Sequence, residues 1–142
     1  MTDNEIGLID SNILVYAHDV DNKTKYSKAK SFVAHKYITK TAIVSAQNLA
    51  EFYRAITEKI SKKVNKEMAK QAVRDCTNIL QVVSYDHKIL LEAIDIAQIY
   101  DVPFWDALIA ATMQENQIDV IYTENGKDFK KIPWLKVINP LK

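Results

Sequence analysis

Two glycines, Gly7 and Gly126, are all that a chain of 142 residues contains. Isolated glycines cannot build the phosphate-cradling loops of dinucleotide or P-loop sites, which need several at fixed spacing. A single cysteine, Cys76, excludes an internal disulfide and a cysteine-rich zinc site; amid helix-like sequence it reads as a small core filler. The three histidines, His18, His35 and His87, lack the H-x-x-H and H-E-x-x-H spacings, so none is assigned to a metal. No apolar run approaches the roughly 18 residues of a membrane span. The opening MTDNEIG has neither the basic n-region nor the apolar h-region of a signal peptide, so the expectation is a cytoplasmic protein without membrane association. Repeats, low-complexity tracts and Pro/Gly-rich linkers are missing too, and residues 1–142 are expected to form a single domain.

What is present is ordinary in bulk, 48% hydrophobic and 26% charged, and a chain this long can bury about two thirds of its surface around one core. The net charge of +1 hides an uneven spread. Residues 23–70 carry eleven Lys and Arg54 against Glu51, Glu58 and Glu67, a local balance of +9 that leaves −8 elsewhere. A basic segment suits a phosphate backbone or is simply a solvated face; an acidic remainder suits metal cations.

Hydrophobic patterning predicts strands at IGLID (6–10), AIVSA (42–46), QVVSY (81–85), DVIYT (119–123) and, last, WLKVIN. Between them lie helical patterns. NILVYAHD opens one, capped among Asp10, Ser11 and Asn12; KTKYSKAKSFVAHKYI follows, with Ala29, Phe32, Val33 and Tyr37 as its apolar positions. QNLAEFYRAITEKI sets Leu49, Phe52, Tyr53, Ile56 and Ile60 on one face. Residues 66–80 place Met68, Ala72, Val73, Cys76, Ile79 and Leu80 roughly in phase. Asp86 is the expected N-cap of DHKILLEAIDIAQIYD, and Pro103 falls in the first turn of the next helix. Mostly aliphatic strands separated by helices predict an α/β fold, a parallel sheet covered on both faces.

In such sheets the chemistry gathers at the carboxyl ends of the strands. Asp10 and Asn12 follow the first strand, Glu51 comes one turn into the helix after the second, and Thr123, Glu124, Asn125 and Asp128 follow the fourth. Asp106 sits in the first turn after Pro103. Each acid has a plain alternative: Asp10 as a helix cap, Glu51 as the partner of Arg54, Asp106 as a carboxylate on the helix dipole, Asp128 as a turn former. Taken together, converging carboxylates repel one another and raise each other's pKa unless a multivalent cation neutralises them. Magnesium and manganese favour such oxygen-rich sets and commonly share them with a phosphate.

The stretches LIDSNILVYA, NLAEFYRAI, PFWDALIAA and IYTENGKDF, in that order over residues 6–138, resemble the PIN-domain ribonucleases, and most of all the VapC-type toxins of toxin–antitoxin pairs. That resemblance implies a PIN-like three-layer α/β/α fold with a central, mostly parallel four- to five-stranded sheet. It further implies an Mg²⁺- or Mn²⁺-dependent endoribonuclease. Asp10, Glu51, Asp106 and Asp128 would be the catalytic metal ligands, and Ser11, Asn12, Thr123 and Asn125 the polar support. The fourth acid departs from the family pattern, which often has Asp where this chain has Asn125. An RNA substrate, a cognate antitoxin and a homodimer belong to the same expectation.

Two other classes stay in view. A catalytically inactive PIN-like module would serve only protein binding. A phosphatase or phosphotransferase of the haloacid-dehalogenase type would need a second Asp where this chain has Asn12. Lysines 59, 62, 63, 66 and 70 are expected near one helical face, as RNA contacts, dimer packing or solvated charge. Tyr16, Phe52, Trp105 and Phe129 are read as core aromatics in preference to base-stacking ones.

Overall fold

The computed structural model describes residues 5–142; the first four residues of the MTDNEIG stretch lie outside them. Five short strands alternate with helices: β1 (Gly7–Ile9), α1 (Ser11–Tyr16), α2 (Lys23–Thr39), β2 (Ala42–Ser45), α3 (Ala46–Glu58), α4 (Lys66–Ile79), β3 (Gln81–Val83), α5 (His87–Tyr100), α6 (Phe104–Glu115), β4 (Val120–Tyr122) and β5 (Lys136–Ile138). A 3₁₀ turn, Phe129–Lys131, lies between β4 and β5. Every strand pair is parallel, in the order β3-β2-β1-β4-β5.

That order explains the layering. The chain moves outward from β1 through β2 to β3, then returns across the sheet and continues from β4 to β5. Right-handed crossovers then place the first set of helices on one face and the second set on the other. Accordingly Ile9, Val44 and Tyr122 pack into a core with residues of α1, α2, α3 and α4. Their alternates Leu8, Ile43 and Ile121 pack on the opposite face against Ile109 and Met113 of α6, and α5 packs on α6 through Ile89, Ala93 and Ile96. The three layers and the parallel sheet match the expectation, with five strands.

Local chemistry sets the element ends. Ser45 caps α3 in a capping box with Asn48, and Asp86 caps α5 by accepting from the backbone N–H groups of Lys88 and Ile89. Pro103 stands at the N-cap of α6. A chain so poor in glycine closes helices with other residues: Lys40 after α2 and Asp101 after α5 adopt positive φ, each at a cost of about 1 kcal/mol relative to glycine. Gly7 answers a different need, since a Cβ there would stand 2.6 Å from the Tyr122 ring.

Three expectations are corrected. In α2 the buried position is Lys36, not Tyr37, which is half exposed. The Lys36 ammonium donates to the Glu5 carbonyl and to Tyr122 Oη and lies 4.3 Å from the Tyr122 ring centroid, so Lys36 itself belongs to the core. In α4, Met68 and Ile79 are exposed, and Ala69 and Cys76 make the contact instead. Lys59, Lys62 and Lys63 precede α4 in the segment after α3, so they do not share a helical face with Lys66 and Lys70.

Candidate active site: an acidic cleft at the switch point of the sheet

β1 and β4 are neighbours whose connections leave in opposite directions. The carboxyl ends of such a pair diverge into a crevice, and backbone from both sides reaches it. Asp10 directly follows β1 and Thr123 directly follows β4. Their side chains meet: Thr123 Oγ1 donates to Asp10 Oδ2 at 2.8 Å. Asp10 Oδ1 accepts from the Ser11 backbone N–H at 2.8 Å and from Asn48 Nδ2 at 3.2 Å. So Asp10 caps α1 and at the same time lines the crevice. Burial raises its pKa, against the lowering effect of the Thr123 and Ser11 hydrogen bonds.

The other carboxylates approach from α3, α6 and the loop after β4. Glu51 does not pair with Arg54, which bonds Glu58 instead at 3.2 Å. Burial raises the Glu51 pKa, as do the charges of Asp10 and Asp106; Gln47 and Ser11 offset part of this, and the buried Glu51 Oε1 makes no hydrogen bond. The Asp106 carboxyl is pushed up to about 6, mainly by burial and then by the charges of Asp10 and Asp128. Asp128 itself pairs with Lys131 at 3.3 Å, one turn on. All four acids line one cleft of about 450 Å³, with Asn12 and Asn125 beside them.

The polar neighbours build the wall. Asn12 Nδ2 donates to Thr123 Oγ1 at 3.1 Å, and its Oδ1 accepts from the Glu124 N–H at 3.3 Å. The Asn125 N–H donates to the same Thr123 hydroxyl at 3.1 Å. Ser11 supplies its backbone N–H to Asp10. Glu124 lines the same cleft, with its carboxylate accepting from Tyr16 Oη at 2.8 Å and pairing with Lys25 at 2.7 Å. Gly126 carries the loop past β5, where a Cβ would stand 2.6 Å from Val137.

One residue escaped the sequence reading. Asn48 is fully buried, closes the Ser45 capping box and donates to Asp10, so a single side chain ties the start of α3 to the end of β1. The S-x-x-N spacing of Ser45 and Asn48 was its only signal.

The donor set is entirely oxygen, and the unpartnered Glu51 Oε1 together with mutually repelling carboxylates fits a hard divalent cation. Among the described residues no three acidic, histidine or cysteine side chains stand close enough to coordinate an ion as they are placed. The remaining titratable candidate is set aside by its surroundings: burial pushes the Cys76 thiol up to about 11, the opposite of an activated nucleophile.

A doubly wound parallel sheet with four carboxylates lining its switch-point crevice places the chain in the α/β class. Residues 7–135 match the family model of the PIN domain, and the chain belongs to that family. Among solved structures it is similar to a toxin–antitoxin complex from Klebsiella pneumoniae (23% identity, TM-score 0.66, covering 94% of this chain and 97% of that one). It is also similar to VapC20 of Mycobacterium tuberculosis, described as a sarcin-ricin loop cleaving toxin (16% identity, TM-score 0.70, 87% and 92% covered). A third likeness is to VapBC2 from Rickettsia felis bound to a promoter DNA fragment (22% identity, TM-score 0.67, 93% and 96% covered). A comparison with curated proteins finds no match.

Proposed function

We propose that this chain is a metal-dependent endoribonuclease that hydrolyses RNA phosphodiester bonds, acting as the toxin of a type II toxin–antitoxin pair in the cytoplasm. The observation that carries the reading is the convergence of Asp10, Glu51, Asp106 and Asp128 on one cleft at the switch point of a PIN fold, with burial raising the pKa values of Asp10, Glu51 and Asp106. The similarity to proteins described as a toxin–antitoxin complex and as an RNA-loop-cleaving toxin supports it.

Mg²⁺ or Mn²⁺ would be held by these four acids; when bound, such an ion neutralises the carboxylates, stabilises charge developing on a phosphodiester and lowers the pKa of water. The protein's own share is positional. Thr123, Asn48 and the Ser11 N–H hold Asp10 in one orientation, and Asn12 fixes Thr123 and the backbone of Glu124. Asp128 raises the Asp106 pKa from across the cleft, which supports Asp128 as the fourth acid. A cognate antitoxin and a second copy of the chain are the expected protein partners. The haloacid-dehalogenase reading loses ground, because Asn12 is engaged with Thr123 and Glu124 and no carboxylate takes its place.

The deciding experiment is cleavage of a mixed pool of structured RNAs in Mn²⁺, Mg²⁺ and EDTA, comparing wild type with Asp10→Asn and Asp106→Asn. Metal-dependent cutting that both folded variants lose is the expected result. An uncut pool with every metal, together with unchanged thermal stability on adding Mn²⁺, would leave the inactive binding module.

A further inference from the structure

Beside the acidic cleft lies a larger groove of about 1360 Å³, and Ser11, Asn12, Glu51 and Asn125 line both. A chain threaded past the acids therefore continues into the groove. Its most prominent side chain is Trp105, the residue before Asp106 in the first turn of α6 and 59% exposed. An exposed indole bordering a groove offers a flat aromatic face to whatever enters it.

Trp105 is exposed but not loose. Gln47 Nε2 donates to the Trp105 carbonyl at 3.0 Å, and Gln47 is itself buried beneath the groove. Phe104 meets the indole edge-on, with ring centroids 5.1 Å apart and planes at 69°. A flat aromatic surface is thus fixed next to one of the acids. Tyr85, 41% exposed in the segment after β3, borders the same groove. Lys59 and Arg54, the latter paired with Glu58, line it opposite in charge to Asp19 and Glu51.

We propose that this groove is a nucleobase subsite: an unpaired base next to the cut phosphate stacks on Trp105, Tyr85 bounds the pocket, and Lys59 receives a flanking phosphate. The inference rests on the ribonuclease reading and adds the place where the substrate's single-stranded character is sensed. Stacking on a fixed aromatic tolerates every base and rejects a duplex, whose bases are already stacked. Continuity with the acidic cleft, through the four residues that line both, favours the substrate's own chain as the occupant, since the phosphate to be cut must lie at the acids while the neighbouring base reaches the groove.

The test uses full-length protein with Trp134→Phe, which leaves Trp105 as the sole indole. Short oligoribonucleotides of A, C, G or U, and an abasic ribose–phosphate oligomer of equal length, are titrated in EDTA. The base-bearing oligomers should quench Trp105 fluorescence and bind about ten- to a hundredfold more tightly than the abasic one. Followed by polarisation of a labelled oligomer, Trp105→Ala should abolish that preference and Trp105→Phe should restore most of it. The rise in melting temperature with Mn²⁺, measured on the same variants, reports the acids separately; its absence condemns the ribonuclease reading and not the subsite. Failure of all oligomers to bind, equal binding with and without bases, or a base preference that survives Trp105→Ala overturns the subsite. So does quenching of Trp105 by increasing protein concentration alone, which assigns the groove to a second copy.

Discussion

The two ends of β1 both carry charge out of water, and they treat it in opposite ways. Near the amino end the ammonium of Lys36, with no exposed surface, donates to the Glu5 carbonyl and to Tyr122 Oη, and Tyr122 Oη also donates to that carbonyl at 2.6 Å. At the carboxyl end, acids crowd together, Glu51 Oε1 has no hydrogen bond and the Asp106 carboxyl rises to about 6. Tyr122 and Thr123 are consecutive, so one strand end serves both. The ammonium is surrounded by partners, whereas among the acids Asp10 has three hydrogen bonds and the buried Glu51 Oε1 has none.

The largest effect should come from the acidic end. Asp10→Asn or Asp106→Asn should lower RNA cleavage about a thousandfold or more, since a lost metal ligand forfeits several kcal/mol of charge stabilisation. Neither should lower stability by more than about 1 kcal/mol in urea unfolding, because each relieves repulsion. A large stability loss would show that these acids are held by interactions the cleft does not display.

Lys36→Ala should do the reverse. It removes the donor to two buried acceptors and opens a cavity, so unfolding free energy should fall by about 2–4 kcal/mol. Mn²⁺ should still raise the melting temperature of the folded variant. If it does not, the two ends of β1 are coupled and the contrast between them fails.

Asn48→Ala lies between the extremes, since Asn48 serves a helix cap and Asp10 together. Stability should drop by about 1–2 kcal/mol and cleavage by about tenfold. A loss in only one of the two measurements would separate roles that one side chain now joins.

Acidity gives the smallest effect and the most diagnostic sign. Asp106 binds its proton more tightly folded than unfolded, so between about pH 6 and its ordinary value near 3.8 the folded protein holds more protons. In the metal-free protein this stabilises the fold as the pH falls, by about 1 kcal/mol once solvent screening is allowed for. The stabilisation by Mn²⁺ should fade over the same descent, because ligands must be deprotonated to bind. Urea melts at pH 7 and pH 5, with and without Mn²⁺, should therefore move in opposite directions.

The elements were legible because local rules and packing agree in them. Aliphatic runs became strands, and Ser45, Asp86 and Pro103 stand where α3, α5 and α6 begin. The acids could be read together because Asp10 and Asp128 come after strands, Asp106 opens a helix and Glu51 lies just over one turn into one. What stayed hidden depends on reach or on long-range fit. The Lys36 stem carries a charge across the core to Tyr122, which periodicity assigns to neighbouring Tyr37. Asn48 looks like an ordinary cap until Asp10 is brought against it. Phe52 and Phe129 are buried as expected, but Trp105 is not, because the helical face it occupies fronts the groove and not the sheet.

Thr123 holds Asp10 across 113 positions of sequence, and this distance has a meaning in time. During synthesis the chain emerges from its amino end, so Asp10 is exposed to the cell long before Thr123 and Asp128 exist. Glu51 and Asp106 arrive in turn, and the loop bearing Asp128 is anchored only when β5 joins β4. The two walls of the cleft can therefore be held together only once β5 has been made.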